Sequence, residues 1–188
     1  MADASVRPAR ASEAAEIARI QRDTLAMTYE EALTPGLMAQ LGDPQLLAAA
    51  EEQIAAQVDA GSAHVLVALE GERIVGFAFA HPGVVDGESM LEASDVDAEH
   101  TAVIAQLLVE PRWGRRGHGS RLLAAATDVL SADGFTRVVT WVPENSVSGT
   151  AFLASAGWAS DGYARGLDNG NGVIIRELRF HAALGPAD

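Results

Sequence analysis

The residues best placed to do chemistry lie in one short stretch, Gly114–Ser120, which reads GRRGHGS. Before it comes an apolar run, Leu107–Val109, which reads as the end of a buried strand. Pro111 then stops that strand, because proline cannot donate to a ladder. After the glycines, Leu122, Leu123, Ala126, Val129 and Leu130 recur at helical spacing, so a helix is predicted from about Gly117. A helix start carries backbone N–H groups without partners and a positive partial charge. Glycines remove the side chains that would hold a ligand away from those donors. Arg112, Arg115, Arg116 and Arg121 fall in this same stretch of a chain whose formal net charge is −13. A local basic cluster in an acidic protein calls for an anion, and a pyrophosphate fits all three signals.

Two common phosphate binders do not match. A P-loop needs a lysine in GxxxxGK[ST], and this chain contains no lysine. A dinucleotide fingerprint reads GxGxxG after the first strand, whereas here the spacing is GxxGxG in mid-chain. Val109, Pro111, Gly117, Gly119, Ser120, Leu122 and Leu123 together resemble the acetyl-CoA-binding motif of the GNAT superfamily of N-acetyltransferases. That motif is written Q/R-x-x-G-x-G/A, and Gly114–Gly119 occupies it, with Gly114 at the position where Gln or Arg is usual. The resemblance implies that the N–H groups of Arg115, Arg116, Gly117, His118, Gly119 and Ser120 bind the CoA pyrophosphate. It also implies that the backbone of Leu107, Leu108 and Val109 meets the pantetheine arm and the thioester carbonyl.

A second stretch, Trp141–Trp158, is similar to the family's later motif, a strand, an Asn, and a helix written F-Y-x-x-x-G-F. Phe152 to Trp158 fits that frame, and Asn145 is the cofactor-side Asn, one residue early, so that Ser146 stands in its slot. Leu153 takes the place of the tyrosine that often protonates the leaving thiolate, and Val103 the place of a glutamate that serves some relatives as base. Thiolate is a fair leaving group at neutral pH, with a thiol pKa of about 8.5, so loss of the acid need not abolish turnover. The remaining candidates for the base are Glu99 and His100, just before the strand, while Tyr29 and Glu30 are candidates for the acceptor wall. The implied activity is direct acetyl transfer from acetyl-CoA to a primary amine of a small molecule or peptide. A non-catalytic acyl-CoA sensor on the same fold is the alternative.

These motifs need elements to position them. Ser5–Ala9 reads as an edge strand, and Ser12 as the N-cap of a helix to about Thr24. Pro35–Gly36 reads as a break, and Pro44 as the first turn of a helix with Leu47, Ala50, Ile54 and Val58 on its apolar face. His64–Leu69 and Arg73–Ala80 form a hairpin, 81–100 a mobile loop, and Thr101–Val109 a central buried strand. Arg137–Val142, a helix over Ser148–Ala156, further strand from Trp158, a loop over Gly166–Gly172 and a strand over Val173–Phe180 complete the order β-α-α-β-β-β-α-β-α-β-β. That is an α/β (α+β) mixed sheet, the order of the GNAT fold, in a single domain over 1–188 with its core at about 6–180.

Composition narrows the partners. The negative charge disfavours nucleic acid, and no apolar run approaches the roughly 20 residues of a membrane span. Absence of cysteine removes disulfides and thiol catalysis, and a cytoplasmic location is the simplest expectation. His64, His81, His118 and His181 lack metal-ligand spacing, so no metal is expected. Many relatives are dimers, so a homodimer is compatible with the resemblance.

Overall fold

Strand β1, Ala4–Pro8, runs antiparallel to β2, His64–Glu70, from Ala4 opposite Glu70 to Pro8 opposite Leu66. β1 lies at a sheet edge, where the N–H that Pro8 lacks is not required. The computed structural model describes residues 4–29, 33–61, 63–85, 88–89, 97–168 and 172–185. The chain groups into two units, Met1–Phe79 with Gln106–Ala125 and Ala80–Ala105 with Ala126–Asp188. One sheet is ordered β1, β2, β3 (Arg73–Pro82), β6 (Thr101–Val109), β7 (Arg137–Pro143), β9 (Ile174–Ala183) and β8 (Ala159–Asp168).

In the first unit, α1 (Ala14–Thr28) and α3 (Pro44–Ala60) pack on each other and on the sheet. Ile17 and Ile20 from α1 meet Val65, Val67 and Leu69 from β2, and Ile74 and Phe77 from β3 (Arg73–Pro82). The alternation of β2 explains the choice of residues, since every second side chain faces the helices. Burying each of these side chains contributes about 1.5–3 kcal/mol. Asp43 caps α3 by accepting from the Gln45 N–H at 2.7 Å, and Pro44 fills the first helical position.

Three local expectations change here. Ser12 does not cap α1. A single 3-10 turn, Ala11–Glu13, precedes the helix, and Glu13 reaches back to the Arg10 N–H at 2.9 Å while binding the Arg7 guanidinium. α1 runs four residues past Thr24. Pro35–Gly36 does not break structure but starts a short helix, α2 (Pro35–Leu41), because a proline at a helix's first position loses no hydrogen bond.

In the second unit, β6 (Thr101–Val109) pairs in parallel with β7 (Arg137–Pro143) from Thr101/Arg137 to Ile104/Thr140. β7 and β9 (Ile174–Ala183) are antiparallel, as are β9 and β8 (Ala159–Asp168). Gly166, Leu167 and Asp168, expected in a loop over Gly166–Gly172, instead extend β8, and 169–171 lie outside the described residues. Arg179 is buried, donates to Asp161 at 2.8 Å and stacks 4.1 Å over the Tyr163 ring. Within 81–100, Val84–Val85 (β4) pairs with Glu88–Ser89 (β5), and Ala98–His100 forms a 3-10 turn. Of the mobile loop expected over 81–100, residues 86–87 and 90–96 lie outside the described residues, while 81–82, 84–85, 88–89 and 98–100 are strand or 3-10 turn. The helix α5 (Val147–Ser155) starts at Ser146, whose hydroxyl accepts from the Gly149 N–H at 3.3 Å.

Candidate functional site

β6 changes character halfway along. Thr101–Ile104 are buried, Ala105 is exposed, and Gln106–Val109 are half-buried. The expectation of a strand buried throughout is corrected at this end, where the family motif needs reachable main chain. Gly76 of β3 lies directly against this stretch. A Cβ there would stand 2.6 Å from the Leu108 carbonyl oxygen and 3.1 Å from the Val109 Cα. The Glu110 N–H then donates to the Val75 carbonyl at 2.9 Å, which fixes the strand end.

From there the chain makes a 3-10 turn, Pro111–Trp113, closed by Trp113 N–H to Glu110 O at 2.8 Å and Gly114 N–H to Pro111 O at 3.0 Å. Arg115 (φ 63°) and Gly117 (φ 82°) adopt left-handed backbone, which costs nothing at a glycine. The fifteen-residue helix α4, His118–Ala132, follows, and its first bond is Arg121 N–H to Gly117 O at 3.0 Å. Among the described residues, none of the N–H groups from Arg115 to Ser120 donates to a protein acceptor. Six successive unspent donors at the positive end of a long helix are the groups that an anion site requires.

The four arginines divide into two roles. Arg112 Nε donates to Glu110 at 2.5 Å. Arg116 stands 3.6 Å from Glu70 and 4.9 Å over the Trp113 ring. Arg121 donates only to the Arg116 carbonyl, at 3.2 Å, and Arg115 is exposed without an ion pair among the described residues. So Arg115 and Arg121 are the cations available to an anion, while Arg112 and Arg116 brace the turn.

His118, expected to lend only its backbone, also has a side-chain role. Its ring is 1% exposed and meets Trp113 edge-on at 6.5 Å. Its Nε2 lies 3.0 Å from Glu70 Oε2, a close contact without the geometry of a hydrogen bond. Glu70, Trp113 and His118 thus form a floor under the turn. Sequence reasoning missed Glu70 and Gly76, because each acts on residues more than thirty positions away.

Glu110 is the buried acid of this region, with Arg112 on one side and Arg19 on the other, the latter in a very short contact. Burial alone would raise its carboxyl. The two guanidiniums outweigh that and hold it below the ordinary range. Arg7 and Arg19 likewise hold Glu13 and Glu16 low. Carboxyls lowered in the folded state stabilise it fully above the unfolded value of about 4.5, and the contribution is lost as pH falls through the folded values. We expect the melting temperature to drop steeply below about pH 4.5, and the drop to be shallower in Glu110→Gln, whose melting point at pH 7 is lower. Equal slopes for the two proteins would show that Glu110 contributes none of it.

The other expected site residues are spread out. Glu99 and His100 sit on the exposed turn that begins β6, whereas Leu107–Val109 form its end. His100 pairs with Asp97 at 2.7 Å, a hydrogen bond that raises its pKa and favours the protonated ring. Tyr29 follows α1 directly, and Glu30 lies outside the described residues. Asn145 is exposed just before the Ser146 cap. Val103 and Leu153 are core residues, 6% and 4% exposed. Among the described residues no group of three His, Asp or Glu side chains could hold a metal ion. No described helix is long and apolar enough to cross a membrane.

The sequence model of the acetyltransferase (GNAT) family matches residues 27–158, which includes the turn and both motifs. The chain belongs to the GNAT acetyltransferase family. Solved structures show the GNAT fold over nearly the whole chain. An N-acetyltransferase from Staphylococcus aureus Mu50 superposes with a TM-score of 0.71 at 14% identity, covering 97% of this chain and 99% of its own. YncA, an acetyltransferase from Salmonella typhimurium solved with acetyl-CoA, gives 0.70 at 15% identity, covering 97% and 95%. The PaiA N-acetyltransferase from Thermoplasma acidophilum, solved with coenzyme A, gives 0.69 at 12% identity, covering 96% and 99%. No curated protein sequence matches the chain. The GNAT match confirms the mixed α/β architecture expected above, with α2 and the β4–β5 hairpin as additions to the expected order.

Proposed function

We propose that the protein transfers an acetyl group from acetyl-CoA directly to a primary amine. The reading rests above all on the six unpartnered N–H groups from Arg115 to Ser120. These donors hold the pyrophosphate, with Arg115 and Arg121 adding charge. The main chain of the half-buried residues Leu107–Val109 orients the pantetheine arm and donates to the thioester oxygen, where negative charge develops. Asn145 lies on the cofactor side in the same proposal. Acetyl-CoA supplies the activated acyl group. An amine of pKa near 10 is about a thousandfold protonated at pH 7, so its proton must leave before attack. With Val103 and Leu153 packed in the core, that proton passes to water, with Glu99 and His100 the nearest titratable groups in sequence to the start of β6. Tyr29 and Glu30 belong to the acceptor side. A cytoplasmic location accompanies the proposal, since a chain without cysteine gains nothing from an oxidising compartment.

Acetyl-CoA at a hundred times its dissociation constant should stabilise the protein by about 2.7 kcal/mol. For this chain length that raises the melting temperature by roughly 5–11 °C. No shift at saturating ligand would remove the basis of the proposal. The apolar residues Val103 and Leu153 also favour a second reading, a CoA-binding sensor. CoA release with any member of an amine panel decides for the transferase, and binding without release across the panel decides for the sensor.

A further inference from the structure

Helices α1, α2 and α3 line a half-open cavity of about 300 Å³ in the first unit. That volume is at the small end of the roughly 300–1,000 Å³ typical of ligand pockets. Its walls are leucine-rich, with Leu25 from α1, Leu41 from α2, Leu46 and Leu47 from α3, and Leu33 between α1 and α2. Arg22 is its one charged lining residue among the described residues, and that guanidinium is already paired with Asp23 at 2.6 Å. Among the described residues no carboxylate lines it. A polyamine entering here would set ammonium groups against leucine and arginine, partly stripped of water and without a counter-charge among the described lining residues. An aliphatic or aromatic group would instead gain about 25 cal/mol for each Å² it hides from water.

The cavity is also tied to the transfer site. Gln21 lines it, and its Nε2 donates to Gln106 Oε1 at 2.9 Å. Gln106 directly precedes the Leu107–Val109 main chain on β6. We propose that this cavity seats the apolar body of the acceptor, an amine carrying one aliphatic or aromatic group, and discriminates against polycationic amines. The inference rests on the transferase reading above, and it adds the substrate class.

The test compares 2-phenylethylamine with spermidine, in the intact chain and in Ala50→Phe, which fills the cavity from α3. Wild type should give a kcat/KM for 2-phenylethylamine at least about tenfold above that for spermidine. Ala50→Phe should lower the first value at least about tenfold while the KM for acetyl-CoA stays unchanged. A preference for spermidine, or unchanged 2-phenylethylamine kinetics in the variant, would overturn the assignment and leave the transferase reading intact. If no amine reacts, calorimetry with 2-phenylethylamine on the CoA-bound protein separates the two ideas. Binding by wild type that is lost in Ala50→Phe upholds the pocket while the transferase reading falls, and no binding by wild type removes the pocket. Should Ala50→Phe not fold, Leu25→Ala enlarges the cavity from α1. Its preference for tryptamine over 2-phenylethylamine should then rise severalfold, and an unchanged ratio would count against the pocket.

Discussion

Gly76→Ala should lower both the melting temperature and the affinity for acetyl-CoA, although residue 76 touches no ligand in the proposed complex. The added methyl would lie 2.6 Å from the Leu108 carbonyl oxygen and 3.1 Å from the Val109 Cα. Both are main-chain atoms of β6, so no side chain can rotate away and the strands must part. Overpacking of this kind costs about 1–3 kcal/mol. At this chain length that is a fall of roughly 2–12 °C. The part of β6 that moves is the part proposed to hold the thioester, and its end is tied to β3 only one residue from Gly76, through Glu110 N–H and Val75 O. Losing one such main-chain hydrogen bond, at about 0.5–1.5 kcal/mol, lowers kcat/KM for acetyl-CoA by up to about tenfold. Thermal melting and steady-state kinetics on one preparation check both halves. A variant that melts like wild type and turns over normally would show that β3 and β6 are less closely apposed than these distances require.

Gly117→Val should abolish CoA binding while leaving the fold standing. Its φ of 82° is a conformation that an L-residue adopts only at a cost of about 1–2 kcal/mol, more when branched at Cβ. The turn is exposed, and the nearest atom to a new Cβ, at 3.2 Å, is the Arg121 guanidinium, which can swing aside. The backbone will relieve the strain by rotating, and that turns the N–H groups of residues 117 and 118 out of the cradle. Two hydrogen bonds to a charged group, at about 1.5–3 kcal/mol each, amount to at least a hundredfold in dissociation constant. Arg115→Ala is the informative partner. It deletes a charge but leaves the main chain alone, and should weaken binding only severalfold. Calorimetry with CoA measures all three proteins. Similar losses in the two variants would move the weight of recognition from backbone to side chain.

The turn was legible because everything that makes it is local. A stop, three glycines and a helix start follow one another within ten residues, and the turn is a property of that succession. The partners of the turn were not legible. Glu70 reads as a hairpin residue and Gly76 as an ordinary strand glycine until the fold brings them beneath His118 and against Leu108. Periodicity cannot report such contacts, because it describes one element at a time. The same limit explains the arginines, which look equivalent in a list of charges and divide only when Glu110 and Glu70 claim two of them. It also explains the cavity, whose leucines come from three helices and from the segment between two of them. Pro35 misled for a different reason. Proline both ends and begins helices, and nothing in the neighbouring residues separated the two cases.

A site made of peptide groups has an evolutionary consequence. Its recognition elements are inherited through the path of the chain, so substitutions at residues such as Arg116 or Ser120 leave the donors where they are. Lineages can then drift far apart in amino acids while the chain path is kept, as the 12–15% identity to structures of the same fold illustrates. Gly117 is the exception. Its missing side chain is the part of the cradle that drift cannot replace.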